Sequence, residues 1–299
     1  MQTFHEIEAE VFARLPERFH ITENHETRLG RIRYSFLEGP AFARDGTLYC
    51  TDLPYGRIFR IAPNGGFDLV CQYKGRPNGL AIHRDGRIFV ADQVEGILVL
   101  DPHSGKIEPL LSMVFGERLK APNDLIFSRD GTLFFTDQGQ SGLQNPNGCL
   151  YALRPDNTVD CILNNVPSPN GLVLGPDEEN LFLAVTRANA VWRVPLNLFG
   201  NHAASRVGLY IQLSGGIGPD GMAAGADGSL AVAHVGSGTI KVFDKLGELL
   251  CRVRCPDIYP TNVAFGGPDL QDLYITESAS GQILRARLPV TGQRLFSHS

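Results

Sequence analysis

The chain has 299 residues, 43% of them hydrophobic, and a net charge of −5. Its charged residues are interleaved and no basic run occurs, so neither nucleic acid nor an anionic membrane is an expected partner. No stretch approaches the roughly 18 apolar residues of a membrane span, and Met1 to Glu10 lacks the basic region and apolar core of a signal peptide.

Residues 1–33 form a leader, in which Ile7 to Leu15 reads equally as a strand or a short helix. From Glu38 onward, short apolar runs alternate with turn signals. Pro40 to Ala43, Leu48 to Thr51, Arg57 to Ala62 and Phe67 to Tyr73 read as four strands. Asp45-Gly46 turns the first hairpin, because glycine tolerates positive φ. The same score returns with Asp85-Gly86, Asp130-Gly131 and Asp227-Gly228, and as Gly-Pro-Asp at 175–177 and 267–269. Two polar insertions, Asp137 to Gly148 and Asn197 to Arg206, break the rhythm and read as lids or rim elements.

Each repeat opens on one motif. Leu37-Glu38-Gly39-Pro40 is followed by Pro77-Asn78-Gly79, Pro122-Asn123-Asp124, Pro169-Asn170-Gly171, Pro219-Asp220-Gly221 and Pro260-Thr261-Asn262. The steps from Glu38 to Asn78, Asn123, Asn170, Asp220 and Asn262 are 40, 45, 47, 50 and 42 residues. A period of that length without helical patterning predicts an all-β, six-bladed β-propeller with four antiparallel strands per blade. The whole of 1–299 is expected to be one domain, with part of the leader closing the ring.

A residue repeated at the start of every inner strand falls on a ring around the propeller axis. Here that ring is read as Glu38, Asn78, Asn123, Asn170, Asp220 and Asn262. Two carboxylates and four amides are hard oxygen donors. They suit Ca²⁺, with Mg²⁺ or Mn²⁺ as substitutes, far better than Zn²⁺. Asn-Gly and Asp-Gly are also plain turn dipeptides, a sufficient reading for Asn78 and Asn262. It does not cover Glu38, since glutamate is a poor turn residue.

These motifs, in this order, resemble those of the gluconolactonase family that includes regucalcin and the luciferin-regenerating enzymes. They are more distantly similar to squid-type diisopropylfluorophosphatase. The resemblance covers about residues 34–288, with Val263-Ala264-Phe265-Gly266-Gly267 as a further carrier. It implies one divalent metal, usually Ca²⁺, in the central channel. Glu38, Asn170 and Asp220 would be its ligands, and Asn123 a fourth ligand or a substrate contact. Asp220 would also be the general base. One departure concerns substrate: the regucalcin-like sugar lactonases carry an arginine where this chain has Ala121.

The implied reaction is metal-dependent hydrolysis of a sugar-type lactone, an aldonolactone, to its hydroxy acid. Alternatives are hydrolysis of another activated ester such as a phosphotriester, or a non-enzymatic calcium-binding scaffold. Gln138 and Gln140 in the first insertion, Arg187, and His234 at the end of Val232-Ala233-His234 are candidate substrate contacts. The acids ending the second strands, Asp52, Asp92, Asp137 and Glu277, read instead as structural, each satisfying backbone amides, with Asp137 the exception to watch because it opens the long loop Gln138 to Asn147. No G-x-S-x-G elbow, G-x-G-x-x-G or P-loop occurs. The six scattered cysteines read as free thiols in a reducing cytoplasm.

Overall fold

A computed structural model describes residues 5–21, 34–196 and 206–298. The second insertion thus lies outside the described residues, apart from Arg206. The structure is a six-bladed β-propeller. Blade one comprises Leu37–Phe42, Leu48–Asp52, Arg57–Ile61 and Phe67–Gln72. Blade two begins at Pro77–Ile82, blade three at Pro122–Phe127 and blade four at Pro169–Leu174. Blades five and six begin at Gly218–Ala224 and Pro260–Gly266. These six first strands pack against one another in succession, and Pro260–Gly266 closes the ring on Leu37–Phe42.

The hairpin between first and second strands has one recurrent chemistry. Gly46, Gly86, Gly131 and Gly228 sit at φ between 84° and 92°. In each turn the preceding aspartate accepts the backbone N–H two residues on, as Thr47 N–H donates to Asp45 Oδ1 at 2.9 Å and Thr132 N–H to Asp130 Oδ1 at 3.0 Å. Blades four and six lack that glycine, and Glu178 (φ 57°) and Leu270 (φ 55°) take left-handed positions instead.

The segment Ile7 to Leu15 is extended. Glu10–Arg14 pairs antiparallel with Gln282–Arg287 as the fourth strand of blade six. His5–Glu8 runs parallel to Leu249–Arg254 on the outer edge of blade five, giving that blade a fifth strand. The core lies between adjacent blades rather than at the axis. Phe59, Phe67 and Phe135 are fully buried there, each worth about 1.5–3 kcal/mol against exposure.

On the axis a narrow apolar cavity of about 100 Å³ is lined from all six blades, including Leu80, Val173 and Met222. Asp124 and Asn262 also line this cavity, and Phe296 and Ser297 of the C-terminal segment reach it. No helix among the described residues is long and apolar enough to cross a membrane.

Candidate functional site

Strand register fixes which residues share the ring. Leu37, Pro77, Pro122, Pro169 and Pro219 pair with Asp52, Asp92, Asp137, Val185 and His234. In blade six Pro260 pairs with Glu277. The next residue in each first strand is the ring position: Glu38, Asn78, Asn123, Asn170, Asp220 and Thr261. Asn262 therefore stands one step further on, level with Asp124, and the sixth ring member is Thr261. Matching asparagine to asparagine in the sequence shifts blade six by one residue; matching proline to proline does not.

At the level of Asp124 and Asn262, the other blades carry Gly39, Gly79, Gly171 and Gly221. These glycines make room for the two side chains. A Cβ on Gly79 would lie 2.2 Å from Asp124 Oδ1, and one on Gly221 would lie 1.9 Å from Asn262 Oδ1. Blades three and six are opposite each other in a ring of six, and their two side chains meet across the axis. Asn262 Nδ2 donates to Asp124 Oδ2 at 3.5 Å. The two backbones match: Asp124 N–H donates to Thr136 Oγ1 at 3.1 Å, and Asn262 N–H to Thr276 Oγ1 at 3.0 Å.

Glu38, Asp124 and Asp220 form one electrostatic group. Burial raises the Glu38 carboxyl well above its usual range, and the charges of Asp220 and Asp124 raise it further. Burial pushes Asp124 up to about 7, against hydrogen bonds from Leu125 N–H and the Asn262 amide. Burial, then the charge of Asp124, pushes Asp220 up to about 7, against a hydrogen bond from Asn170. No lysine or arginine is among the groups that shift these three acids. Three inward carboxylates without a cationic side chain favour a bound cation.

The donor set fits a hard divalent ion: Glu38 and Asp220 offer carboxylate oxygens, Asn123 and Asn170 amide oxygens. Among the described residues no three acid, histidine or cysteine side chains come together as a metal-holding group. A set of two acids and two amides does not require one. Asn170 is braced for such a role, since its Nδ2 donates to Thr186 Oγ1 at 3.1 Å and its carbonyl accepts from Thr136 Oγ1 at 2.9 Å. Asn78 is tied similarly, its carbonyl accepting from Thr51 Oγ1 at 2.7 Å.

The remaining candidates behave differently. The second strands end beside the ring, so Gln138, Gln140 and Arg187 follow at the same end of the channel. Gln138 Nε2 donates to Ser168 Oγ at 2.9 Å, which ties the first insertion to the entry of blade four. Ser141 Oγ accepts the Ser168 N–H at 2.9 Å and adds a second tie. Gln140 and Arg187 are exposed and keep their polar ends for solvent or a ligand. His234 is fully buried, with Nε2 3.2 Å from Asn189 Oδ1. Burial, helped by the charge of Lys241, pushes its pKa down to about 4, so it is neutral near pH 7. Asp124, absent from the candidates read in the sequence, joins Glu38 and Asp220. Its signal was an acid after the ring residue where four other repeats have glycine.

The family model described as the SMP-30/gluconolactonase/LRE-like region matches residues 36–279. The chain belongs to this family. A lactonase, drp35, of Staphylococcus haemolyticus is 30% identical over 233 residues, which is 74% of this chain and 70% of that one. The calcium-binding protein regucalcin of Agrobacterium tumefaciens superposes with a TM-score of 0.79 at 20% identity, over 99% of this chain and 98% of that one. A gluconolactonase from Xanthomonas campestris gives 0.76 at 24% identity, over 94% and 97%. These two likenesses concern the fold.

Proposed function

We propose that this member of the SMP-30/gluconolactonase/LRE-like family is a lactonase that hydrolyses a lactone to its hydroxy acid at the carboxylate end of the channel. The observation that carries the reading is the trio Glu38, Asp124 and Asp220, the first two buried and Asp220 half-buried, without a cationic side chain among the groups that shift them. Lactonase drp35, similar over 74% of this chain, supports the choice of substrate class. Glu38, Asn123, Asn170 and Asp220 would hold one divalent cation, Ca²⁺ by the hardness of the donors. When bound, such an ion supplies positive charge that polarises a carbonyl and stabilises the oxyanion formed on attack.

The chain's own part follows from Asp220. Its carboxylate takes a proton from water as the water oxygen bonds to the lactone carbonyl carbon. The ring C–O bond then breaks, and the departing alkoxide oxygen receives the proton back from Asp220. Burial raises the basicity of Asp220, and the Asn170 amide, which hydrogen-bonds it, fixes its orientation. A neighbouring cation lowers that basicity, and an activated ester tolerates a modest base. Gln140 and Arg187, exposed at the same end, are the polar groups offered to a hydroxylated, sugar-type lactone.

The test is proton release at fixed pH from a panel of aldonolactones and alkyl lactones. Each is run after chelation and again with Ca²⁺, Mg²⁺, Mn²⁺ or Zn²⁺ restored. Turnover restored by metal and lowered about 10²–10⁴-fold in Asp220→Asn is the expected result. A folded, Ca²⁺-binding protein that opens no lactone on the panel contradicts the reading.

A further inference from the structure

All six cysteines are free, and one differs from the others. Burial pushes Cys71 and Cys251 up to about 11 and Cys255 up to about 12, and raises Cys50 further. Cys149 moves the other way, and its surroundings explain why.

Cys149 lies on the third strand of blade three, Gly148–Leu153, opposite Asp137. Tyr151, two residues on, shares its face. Cys161 of the neighbouring strand is paired directly with Tyr151, and a bulge at Ile162 sets that register. Cys149 and Cys161 are therefore diagonal neighbours on this common face and influence each other's ionisation. The Cys149 thiol donates to the Asn147 carbonyl at 3.7 Å and the Cys161 thiol to the Leu163 carbonyl at 3.5 Å. Lys120 Nζ stands 3.8 Å from Cys149 Sγ. The titratable groups facing Cys149 are thus Cys161, Tyr151, Lys120 and Asp137, beside the Asn147 carbonyl. The first three lower its pKa to about 6 against burial and the Asp137 charge. Lys120 is itself fixed: its N–H donates to Asp137, and its Nζ to the Asn147 carbonyl, where the first insertion ends.

A thiol beside a cation, with a second thiol next to it, is the arrangement of an oxidisable pair rather than of inert core cysteines. We propose that Cys149 and Cys161 are a redox-responsive pair on blade three, in which a hydroperoxide oxidises Cys149 and Cys161 closes a disulfide across the two strands. The Cys149 thiolate attacks one peroxide oxygen and the O–O bond breaks. The products are the Cys149 sulfenic acid and, with protons from solvent, one water. Cys161 sulfur then bonds to Cys149 sulfur, and the sulfenic oxygen leaves as a second water carrying the Cys161 proton. In net terms two thiols and one hydrogen peroxide give one disulfide and two waters. Cys149 is only 4% exposed while Cys161 is half-buried, so a small oxidant reaches the pair more readily than a large one.

The experiment uses the reduced full-length protein. A pulse of iodoacetamide at pH 7, read by peptide mass spectrometry, gives each cysteine's alkylation rate. Cys149 is expected to react about tenfold or more faster than Cys50, Cys71, Cys251 and Cys255. Lys120→Met should slow it while leaving the other five unchanged. Hydrogen peroxide should yield a Cys149–Cys161 linked peptide, and in Cys161→Ser a dimedone adduct on Cys149. Alkylation of Cys149 no faster than of Cys50 overturns the proposal. So does peroxide treatment that leaves both thiols intact, or that oxidises Cys149 without linking it to Cys161. The wild-type arms decide the matter even if a variant folds poorly.

Discussion

Two sets of acids in this propeller, all buried except the half-buried Asp220, are divided by their surroundings. The strand-end set is saturated with donors. Asp52 accepts from the Phe36 N–H at 2.7 Å and from the Arg57 guanidinium. Asp92 accepts from the Arg76, Val94 and Glu95 N–H groups and the Tyr73 hydroxyl. Asp137 accepts from the Lys120 and Ala121 N–H groups, and Glu277 from those of Ala279 and Ser280. The inward set has far less. Glu38 accepts from its neighbour Gly39 and from Asn262, Asp124 from Leu125 and Asn262, and Asp220 from Asn170. Buried carboxylates with full donor shells build the fold; those that mainly face one another are the ones proposed to hold a ligand.

The comparison is broken most sharply by exchanging one acid from each set. Asp220→Asn should lower kcat/KM for the best lactone about 10²–10⁴-fold, the range for losing a general base, with the thermal transition retained. Undiminished turnover removes Asp220 from that role. Asp52→Ala should do the reverse. It strands Arg57, whose side chain is 4% exposed, and should cost about 3–5 kcal/mol of stability. Steady-state constants of the protein that remains folded should stay unchanged. A stable Asp52→Ala protein with a lost kcat would erase the division.

Adding Ca²⁺ after chelation should raise the unfolding free energy by about 2.7 kcal/mol at an ion concentration 100 times Kd. Asp92→Asn should keep that gain, and Glu38→Gln should lose it. A smaller effect concerns pH. The folded, metal-free protein holds Asp124 and Asp220 protonated up to about 7, against the usual 3.8. Between these values the folded state binds more protons than the unfolded one. Stability from these groups is present at low pH and is lost as pH rises from about 4 through about 7. Thermal melts of the chelated protein should show this fall, and Asp124→Asn should flatten it. An unchanged slope in Asp124→Asn means that Asp124 is not the shifted group.

The propeller was legible because its signals are local: Asp-Gly turns, apolar alternation, and a period of 40–50 residues. Glu38 stood out because no other repeat has a long acid there. The strand-end acids Asp52, Asp92 and Glu277 read as backbone acceptors, and their hydrogen bonds are largely of that kind; Asp137, the exception in the sequence, accepts backbone N–H groups as well. Blade six escaped because Thr261-Asn262 offers two polar residues and only strand register says which is level with Glu38. Asp124 escaped for a related reason: its partner Asn262 is 138 residues away across the axis. Gln138 could not be judged without Ser168, 30 residues on, nor His234 without the burial that keeps it neutral. Residue type is visible in a sequence; donor supply and long-range partners are properties of the folded chain.

The central claim is that the inward acids form a cation site. Calorimetric titration of the chelated, full-length protein with Ca²⁺ tests it most directly, with Glu38→Gln and Asp92→Asn run beside the wild type. The account predicts one ion per chain, binding abolished in Glu38→Gln and retained in Asp92→Asn. Absence of binding in a folded wild type, or equal binding in Glu38→Gln, would contradict it.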